Sequence, residues 1–292
     1  MYNVLVLGAT GMLGQMVMNL LSKDKRLNIV PTSTASQDSF PYFNALNGIE
    51  RLEKIVNSQN PPFNYIINCI GILSENIDDK DSKSVYDAIV INSLFPNYLS
   101  SLAMKTKSRV IHISTDGVFG KNLGVCKEDN ICNPNDLYGK TKSIGEGKGF
   151  NFLNIRTSII GPNPNKKTGL MEWFLSQPRN GEVYGFSDQI WNGVTTLQFA
   201  ELCKMLILEN YFDTVYSEAP IHHFCPNQSI SKYELLKLFK YIFRPDLTII
   251  PQVNVKKAVS RYLDTNYQSI NGKFGNNIQM KEAIKTLSSA MK

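Results

Sequence analysis

The chain has 292 residues, of which 42% are hydrophobic, and its 31 basic and 25 acidic side chains give a net charge of +6. A chain this long and apolar can bury a sizeable core, and it has neither a glycine period nor sustained heptads, which excludes disordered, collagen-like and coiled-coil structures. The lysines are scattered, which argues against nucleic acid or an anionic membrane as a partner. A small anionic substrate fits the charge equally well.

The sequence predicts a cytoplasmic protein without a bound metal. No stretch approaches the roughly 18 consecutive apolar residues of a membrane span, and Met1 to Leu7 lacks a basic leader. The cysteines are odd in number and dispersed, with no Cys-x-x-Cys pair, so we expect reduced thiols and no zinc site. They are Cys69, Cys126, Cys132, Cys203 and Cys225.

Short apolar runs alternate with helical patterns over the first half of the chain. Continuous apolar runs are typical of strands that are covered on both faces, so this alternation predicts an α/β, Rossmann-like doubly wound parallel sheet. The predicted strands are Asn3–Leu7, Leu27–Pro31, Tyr65–Ile70, Arg109–Ile113 and Phe152–Ile155, and helical spacing marks Met12–Leu21 and Leu94–Met104.

The pattern loosens after Gly161, which predicts a smaller, interleaved C-terminal lobe. We expect residues 1–161, with about 191–215, to form the Rossmann domain, and residues 162–190 and 216–292 to form the lobe. The elements predicted there are an amphipathic piece at Leu170–Leu175, helices at Thr196–Leu208, Ser231–Tyr241 and Lys281–Ala290, and a strand at Thr248–Val255.

Three glycines, Gly8, Gly11 and Gly14, lie between the first predicted strand and the first predicted helix. This spacing permits a tight turn, a close backbone approach to a pyrophosphate and close packing of the helix on the sheet. The amides of a helix N-terminus attract an anion. The loop therefore predicts dinucleotide binding, against the alternative of a purely structural turn.

The end of the second strand indicates which dinucleotide is bound. A carboxylate there would hold the 2′-hydroxyl of NAD and repel a 2′-phosphate, but the chain has Thr32, Ser33 and Thr34 instead. Hydroxyl groups tolerate a phosphate, so NADP(H) is preferred and NAD(H) remains open.

Tyr138 and Lys142 are spaced to share one face of a helix. An ammonium beside a phenol lowers the phenol's pKa and makes it a proton donor near neutral pH. The alternative is an ordinary surface helix. Thr115 follows the fourth strand directly, where strand ends line a ligand crevice and a hydroxyl can bind a substrate carbonyl.

Together, the glycine loop, Ser-Thr-Asp-x-Val-Phe and Tyr-Gly-Lys-Thr-Lys resemble the extended short-chain dehydrogenases/reductases, and more narrowly the dTDP-4-dehydrorhamnose reductase branch. The resemblance covers residues 1–162 well and residues 188–193 more thinly. It implies NADP(H)-dependent reduction of the C4 keto group of a 4-keto-6-deoxy sugar nucleotide, in deoxysugar and polysaccharide biosynthesis. It also implies that the C-terminal lobe binds the sugar nucleotide.

The resemblance assigns roles to individual positions. It implies catalysis by Thr115, Tyr138 and Lys142, with Asn92 supporting Lys142 through water. The implied cofactor-binding residues are Gly8, Thr10, Gly11, Met12, Leu13, Gly14, Thr32, Ser33, Asn44, Asn68, Cys69, Gly71, Tyr138 and Lys142. The implied substrate-binding residues are Asp116, Gly117, Val118, Trp173, Trp191 and Arg261.

Two departures concern the substrate. Many relatives have tyrosine where this chain has Gly117, so we expect a substrate that differs near that point. Residues 169–177 resemble a sub-branch that acts on UDP-linked 2-acetamido-6-deoxy sugars, although Trp173 fits the lobe core equally well. Arg261 is expected either to meet the substrate diphosphate or to be a solvated surface charge.

Two rival functions share this scaffold. A dehydratase needs a glutamate where Gly117 stands, and an epimerase needs an extra Cys or His base, which is absent beside Thr115. Simple reduction needs only the triad and is favoured. The second rival is a non-catalytic NADP-binding regulatory subunit, against which the intact triad argues. A homodimer is left open.

Overall fold

A computed structural model of the chain describes residues 1–35, 40–120, 124–253 and 261–291, except for the side chain of Arg261. The strands are β1 Tyr2–Leu7, β2 Leu27–Pro31, β3 Tyr65–Asn68, β4 Arg109–Ile113, β5 Gly124–Cys126, β6 Phe152–Arg156, β7 Ile159–Ile160, β8 Glu182–Phe186, β9 Ile190–Trp191, β10 Val194–Thr195, β11 Ile221–His223, β12 Ile230–Ser231, β13 Thr248–Gln252 and β14 Arg261–Leu263. The α-helices are α1 Met12–Leu21, α2 Glu50–Ser58, α3 Ser82–Ile89, α4 Phe95–Thr106, α5 Leu137–Ile144, α6 Leu170–Leu175, α7 Thr196–Leu208, α8 Phe212–Glu218, α9 Lys232–Phe243, α10 Gln268–Phe274 and α11 Met280–Ala290.

Six strands form a parallel central sheet in the order β11-β6-β4-β3-β1-β2. Both faces of the sheet are covered, as β1 illustrates. Val4 and Val6 belong to one buried cluster, which α1 and α7 share, and Leu5 and Leu7 belong to another, which α2 and α4 share. The doubly wound α/β fold is therefore confirmed, and it explains why β1 shows no alternation of polar and apolar residues.

The C-terminal part adds short strand pairs and helices beside the central sheet. β8 pairs with β13 in parallel, β9 pairs with β12 in antiparallel, and α9 packs on β8 and β13. Phe174, Leu236 and Phe239 from this part belong to the same buried cluster as Val4. The lobe and the Rossmann core thus share one continuous apolar interior on the face of the sheet that α1 and α7 cover.

The central sheet extends into a range that the sequence assigned to the lobe, because β11 lies beside β6. The pairing is only three residues long, and two of them are histidines, so no apolar run marks it. That the Rossmann domain binds the cofactor and the lobe binds the sugar nucleotide stays a prediction. The predicted strand end at Val255 lies outside the described residues.

Helix boundaries follow local chemistry. Thr195 and Gln198 form a reciprocal capping box that begins α7, and Ser231 and Glu234 do the same for α9. Ser231 was predicted as the first helical residue and is instead the N-cap. No helix within the described ranges is long and apolar enough to cross a membrane.

Candidate active site

A cleft with a volume of about 460 Å³ opens at the carboxyl ends of β1, β3 and β4. The strand order reverses between β1 and β3, and such a switch point is where doubly wound sheets bind ligands. Residues 11–13, 69–76, 113–116, 138, 142 and 157–161 line the sheet side, and residues 163, 166, 168–171, 189–191, 232 and 235 line the lobe side.

The loop between β1 and α1 leaves the first turn of α1 open to the cleft. Gly8 has a φ of +76°, and a Cβ atom on Gly14 would lie 2.1 Å from the carbonyl oxygen of Gly8. The N-cap residue, Gly11, makes no side-chain hydrogen bond, and the first turn has no acidic residue. The amides of Met12 and Leu13 can therefore receive an anion, and the loop fits a dinucleotide pyrophosphate.

Asn68 lies beneath the cleft rather than in it. Its side chain is fully buried, with Nδ2 3.0 Å from Nδ1 of His112, and its Oδ1 accepts a hydrogen bond from the amide of Ile70 at 3.1 Å. Asn68 therefore orients the segment after β3 and has no surface to offer a cofactor. Cys69 and Gly71 of that segment line the cleft, and burial raises the pKa of the Cys69 thiol to about 12.

Asn92 clamps two segments of the site from a π-helical turn, Val90–Leu94. Its side chain binds both the amide and the carbonyl of Ile72, at 2.9 and 3.0 Å, and its Nδ2 lies 3.3 Å from the hydroxyl of Thr141 on α5. Pro96 has no amide hydrogen for the Asn92 carbonyl, and Gly145 packs against that carbonyl instead. Such turns are frequent at functional sites, and Pro96 was the available sequence signal.

Thr115 and Tyr138 flank Gly117 at the end of β4. A Cβ atom on Gly117 would lie 3.2 Å from both the Thr115 hydroxyl oxygen and Cε1 of Tyr138. The Thr115 hydroxyl donates to Asp116 at 3.1 Å and accepts from the Gly117 amide at 3.0 Å. The predicted hydroxyl and phenol are therefore neighbours, and Thr115, Asp116 and Tyr138 all line the cleft.

Lys142 is buried one helical turn beyond Tyr138, and it lines the same cleft. Its Nζ donates to the carbonyl oxygen of Ile113 at 2.6 Å. Burial lowers the pKa of Lys142 to about 8, an effect that the negative charge of Glu146 opposes. The three residues of the predicted triad thus meet at one wall of the cleft, and Lys142 loses its proton within an accessible pH range.

Sequence reasoning missed several polar groups at the site. Glu146 accepts a hydrogen bond from Ser114 at 2.7 Å, and its position four residues after Lys142 was the available signal. Lys232 and Gln189 also line the lobe wall; no motif marks Lys232, and Gln189 lies in the segment 188–193, where the family resemblance is thin.

The side chains predicted for the adenine side mostly bind the protein's own backbone. Thr32 and Ser33 are buried, with the Thr32 hydroxyl 3.4 Å from the Gly8 amide and the Ser33 hydroxyl accepting from the Ala35 amide at 3.0 Å. Asn44 caps a short 3₁₀ turn by accepting from the Leu46 amide at 3.0 Å. Thr34, by contrast, is exposed. Thr10 contributes its carbonyl, which binds Gln15 and Asn165.

The predicted substrate residues separate into two groups. Trp191 lines the cleft, and its Nε1 donates to Ser158 at 2.8 Å. Val118 is fully buried in a small cluster and faces away from the cleft, and the 45% exposed Trp173 is not part of the described lining. Arg261 begins β14, but its side chain is outside the description. Among the described residues, no group of three His, Cys, Asp or Glu side chains could hold a metal.

Comparison with known proteins gives relatives of two kinds. The chain is 30% identical to a dTDP-4-dehydrorhamnose reductase from Aggregatibacter actinomycetemcomitans over 147 residues, 50% of this chain and 46% of the relative. It is 27% identical to methionine adenosyltransferase 2 subunit beta from Xenopus tropicalis over 142 residues, 49% of this chain and 41% of the relative. The matches therefore span less than half the length of these relatives.

The fold is also that of solved structures. A dTDP-4-dehydrorhamnose reductase from Bacillus anthracis, in complex with NADP, aligns over 100% of both chains with a TM-score of 0.80 and 20% identity. A UDP-glucuronic acid 4-epimerase from Bacillus cereus, in complex with NAD, aligns over 99% of this chain and 96% of that one with a TM-score of 0.70 and 15% identity. The family model described as RmlD substrate binding domain matches residues 2–248. The resemblance seen in the motifs is thereby confirmed, and the chain belongs to the RmlD substrate binding domain family.

Proposed function

We propose that the protein reduces the C4 keto group of a 4-keto-6-deoxy sugar nucleotide, with NADPH preferred over NADH. The observation that carries this proposal is one cleft that holds the open N-terminus of α1 together with Thr115, Tyr138 and Lys142. An anion site beside a hydroxyl, a phenol and an ammonium supplies what a carbonyl reduction needs. The relatives named as dTDP-4-dehydrorhamnose reductases support the same reaction.

Each side chain has a distinct task in this reaction. NADPH, when bound, supplies the hydride. Thr115 turns its hydroxyl from Asp116 to the substrate carbonyl, and Tyr138 delivers the proton to the alkoxide oxygen that develops there. Lys142 would place a positive charge beside the Tyr138 phenol and would also bind the ribose of the cofactor. Because these groups are held in place before the reaction, they stabilise the developing negative charge without reorganising.

The lobe wall suits a nucleoside diphosphate. Lys166 and Lys232 both line the cleft on that side, opposite the catalytic wall. Ammonium groups there attract phosphate oxygens and hold the nucleotide away from the reacting carbonyl. The sub-branch that residues 169–177 resemble favours a UDP-linked 2-acetamido-6-deoxy hexose. Gly117 is buried, a Cβ atom there would lie 3.2 Å from both the Thr115 hydroxyl and the Tyr138 ring, and Gly117 is not part of the described cleft lining.

We expect kcat/KM to fall as the pH rises through about 8. Burial lowers the pKa of Lys142, so the ammonium is present below that pH and is lost above it, and the transition state loses its positive neighbour. The measurement is kcat/KM between about pH 6 and 10, which reports the groups of the free enzyme. In Lys142→Arg the positive charge persists throughout this range, so the fall in kcat/KM near pH 8 should vanish. If that fall remains in the variant, it reports the titration of another group.

We further propose a cytoplasmic homodimer. Ile89, Leu94 and Ile144 are 40%, 59% and 65% exposed, and they lie on neighbouring parts of α3, the π-helical turn and α5, which pack together. A second copy of the chain would cover this apolar face. Leu94→Glu should yield a monomer in sedimentation analysis. Met104→Glu, at a 50% exposed site farther along α4, should leave the dimer intact.

The test of the reaction is NADPH oxidation, followed by absorbance, with purified protein and a panel of 4-keto-6-deoxy sugar nucleotides. The panel contains dTDP-4-dehydrorhamnose and UDP-linked 2-acetamido-4-keto sugars. We expect stoichiometric oxidation with one member. A product formed without net NADPH oxidation would instead establish an epimerase or a dehydratase on this scaffold.

A second candidate is a non-catalytic regulatory subunit, which the similarity to methionine adenosyltransferase 2 subunit beta favours. Tight NADPH binding without oxidation of any panel member would support it. Measurable turnover that depends on Tyr138 would exclude it.

A further inference from the structure

Just beyond the C-terminus of α5 lies a buried carboxylate, Glu146, that the proposed reaction does not yet use. Its Oε1 accepts hydrogen bonds from the Ser114 hydroxyl and from Nε of Arg156, each at 2.7 Å, and its Oε2 accepts from Nη2 of Arg156 at 2.7 Å. The side chains of Arg156 and Glu146 are 4% and 6% exposed. This is a bidentate, charge-assisted pair inside the protein, next to the catalytic wall.

Glu146 gives α5 a second attachment to the end of β4. Lys142 binds the carbonyl of Ile113, and Glu146 binds the hydroxyl of the next residue, Ser114. The first bond starts on the helix that carries Tyr138 and the second just after its end, and both reach the segment that carries Thr115. They hold the phenol and the threonine hydroxyl in register.

The attachment is stiff because Arg156 is itself held on several sides. Its guanidinium carbon lies 5.1 Å from the ring centroid of Phe119, and its Nη2 lies 3.2 Å from Sγ of Cys132. A third contact is from Nη1 to the carbonyl of Glu128 at 3.4 Å. A planar guanidinium held in this way presents its two N–H groups to the Glu146 carboxylate in one fixed direction.

Glu146 is also the negative charge that Lys142 meets in the interior. The other titratable or charged groups around Lys142 are Tyr138 on its own helix, His112 on β4, Arg156 on β6 and Asp116 at the mouth of the cleft. His112 is fully buried and its pKa is lowered by burial and by Lys142, so it is neutral. Arg156 is positive, and Glu146 is its direct ion-pair partner.

We propose that Glu146 is a positioning residue of the reduction: its carboxylate ties the Ser114–Thr115 segment to the C-terminal end of α5 and brings a negative charge into the buried region that holds Lys142. This role rests on the proposed function, because Glu146 acts by aligning the groups that act on the substrate carbonyl. It divides into a geometric part, carried by the bond to Ser114, and a charge part, carried by the carboxylate.

The charge part is tested without any sugar substrate. Wild type and Glu146→Gln are labelled with acetic anhydride across a pH series, and mass spectrometry follows acetylation of Lys142 and of the exposed Lys140 in the same sample. The pH midpoint for Lys142 should fall by about one unit in the variant, while that of Lys140 stays. Glu182→Gln removes the same charge from the exposed start of β8 and should move neither midpoint. An unmoved Lys142 midpoint in Glu146→Gln overturns the charge part.

The geometric part is tested with Ser114→Ala, which keeps the ion pair and is expected to fold even if Glu146→Gln does not. Its kcat should fall about tenfold, the cost of one hydrogen bond that aligns the transition state, with the Lys142 labelling midpoint unchanged. An unchanged kcat overturns this part. If the wild type oxidises NADPH with no substrate of the panel, the proposed function fails, while the labelling result still decides the charge of Lys142.

Discussion

Replacing Tyr138 by phenylalanine should lower kcat by about 10³-fold, within the range that a positioned general acid contributes. The Tyr138 ring lies beside the Thr115 hydroxyl, since a Cβ atom on Gly117 would lie 3.2 Å from both Thr115 Oγ1 and Cε1 of Tyr138. Phenylalanine keeps the ring and its packing. The loss should therefore appear in kcat and only slightly in the Kd for NADPH, measured by cofactor fluorescence.

The control for this result is the cofactor site, which the substitution does not touch. Met12 and Leu13 offer their amides to the pyrophosphate whether residue 138 is tyrosine or phenylalanine. If Tyr138→Phe keeps more than about a tenth of the wild-type kcat, the proton comes from elsewhere, and water or Asp116 in the cleft becomes the donor to test.

Apolar runs and helical spacing predicted most of the elements that carry the site. β2 and β4 have the predicted bounds, as do α6 and α7. These segments succeed because a strand covered on both faces and a helix with one apolar face have patterns that local sequence displays. β11 was missed because two of its three residues are histidines, so no apolar run marks it, and because its position depends on pairing with β6, which local sequence does not show.

The positions of site residues could be predicted where sequence spacing determines the distance between side chains. They could not be predicted where burial determines which way a side chain points. Tyr138 and Lys142 are one helical turn apart, so their juxtaposition follows from the helix alone. Thr32 was predicted to meet the cofactor, yet its hydroxyl is turned inward and lies beside the Gly8 amide. A hydroxyl residue after a strand looks the same in the sequence whether it faces the cofactor or is buried. Only the packing of the next loop decides which of the two occurs.

Replacing Gly14 by alanine should have the other large effect, a loss of both stability and cofactor affinity. An added Cβ would lie 2.1 Å from the carbonyl oxygen of Gly8 and 2.8 Å from Cα of Ala9, all of it backbone that cannot swing aside. α1 must therefore move off the turn that aims its amides, at an overpacking cost of about 1–3 kcal/mol in the free energy of unfolding. The Kd for NADPH should rise at least about tenfold, because the helix N-terminus no longer faces the pyrophosphate.

Gly11→Ala is the matched comparison, since it adds the same methyl group to the same loop. Its Cβ would lie 3.4 Å from the Gly8 carbonyl, an ordinary contact, and Gly11 has an extended backbone that alanine adopts without strain. The free energy of unfolding of Gly11→Ala should stay within about 0.5 kcal/mol of wild type, while NADPH binding weakens where the methyl group meets the pyrophosphate. Urea denaturation with and without NADPH separates the change in the free energy of unfolding from the change in NADPH binding. Equal stability of Gly14→Ala and Gly11→Ala would mean that the turn at Gly8 does not hold α1, and the cofactor site would then have to be sought along another part of the cleft.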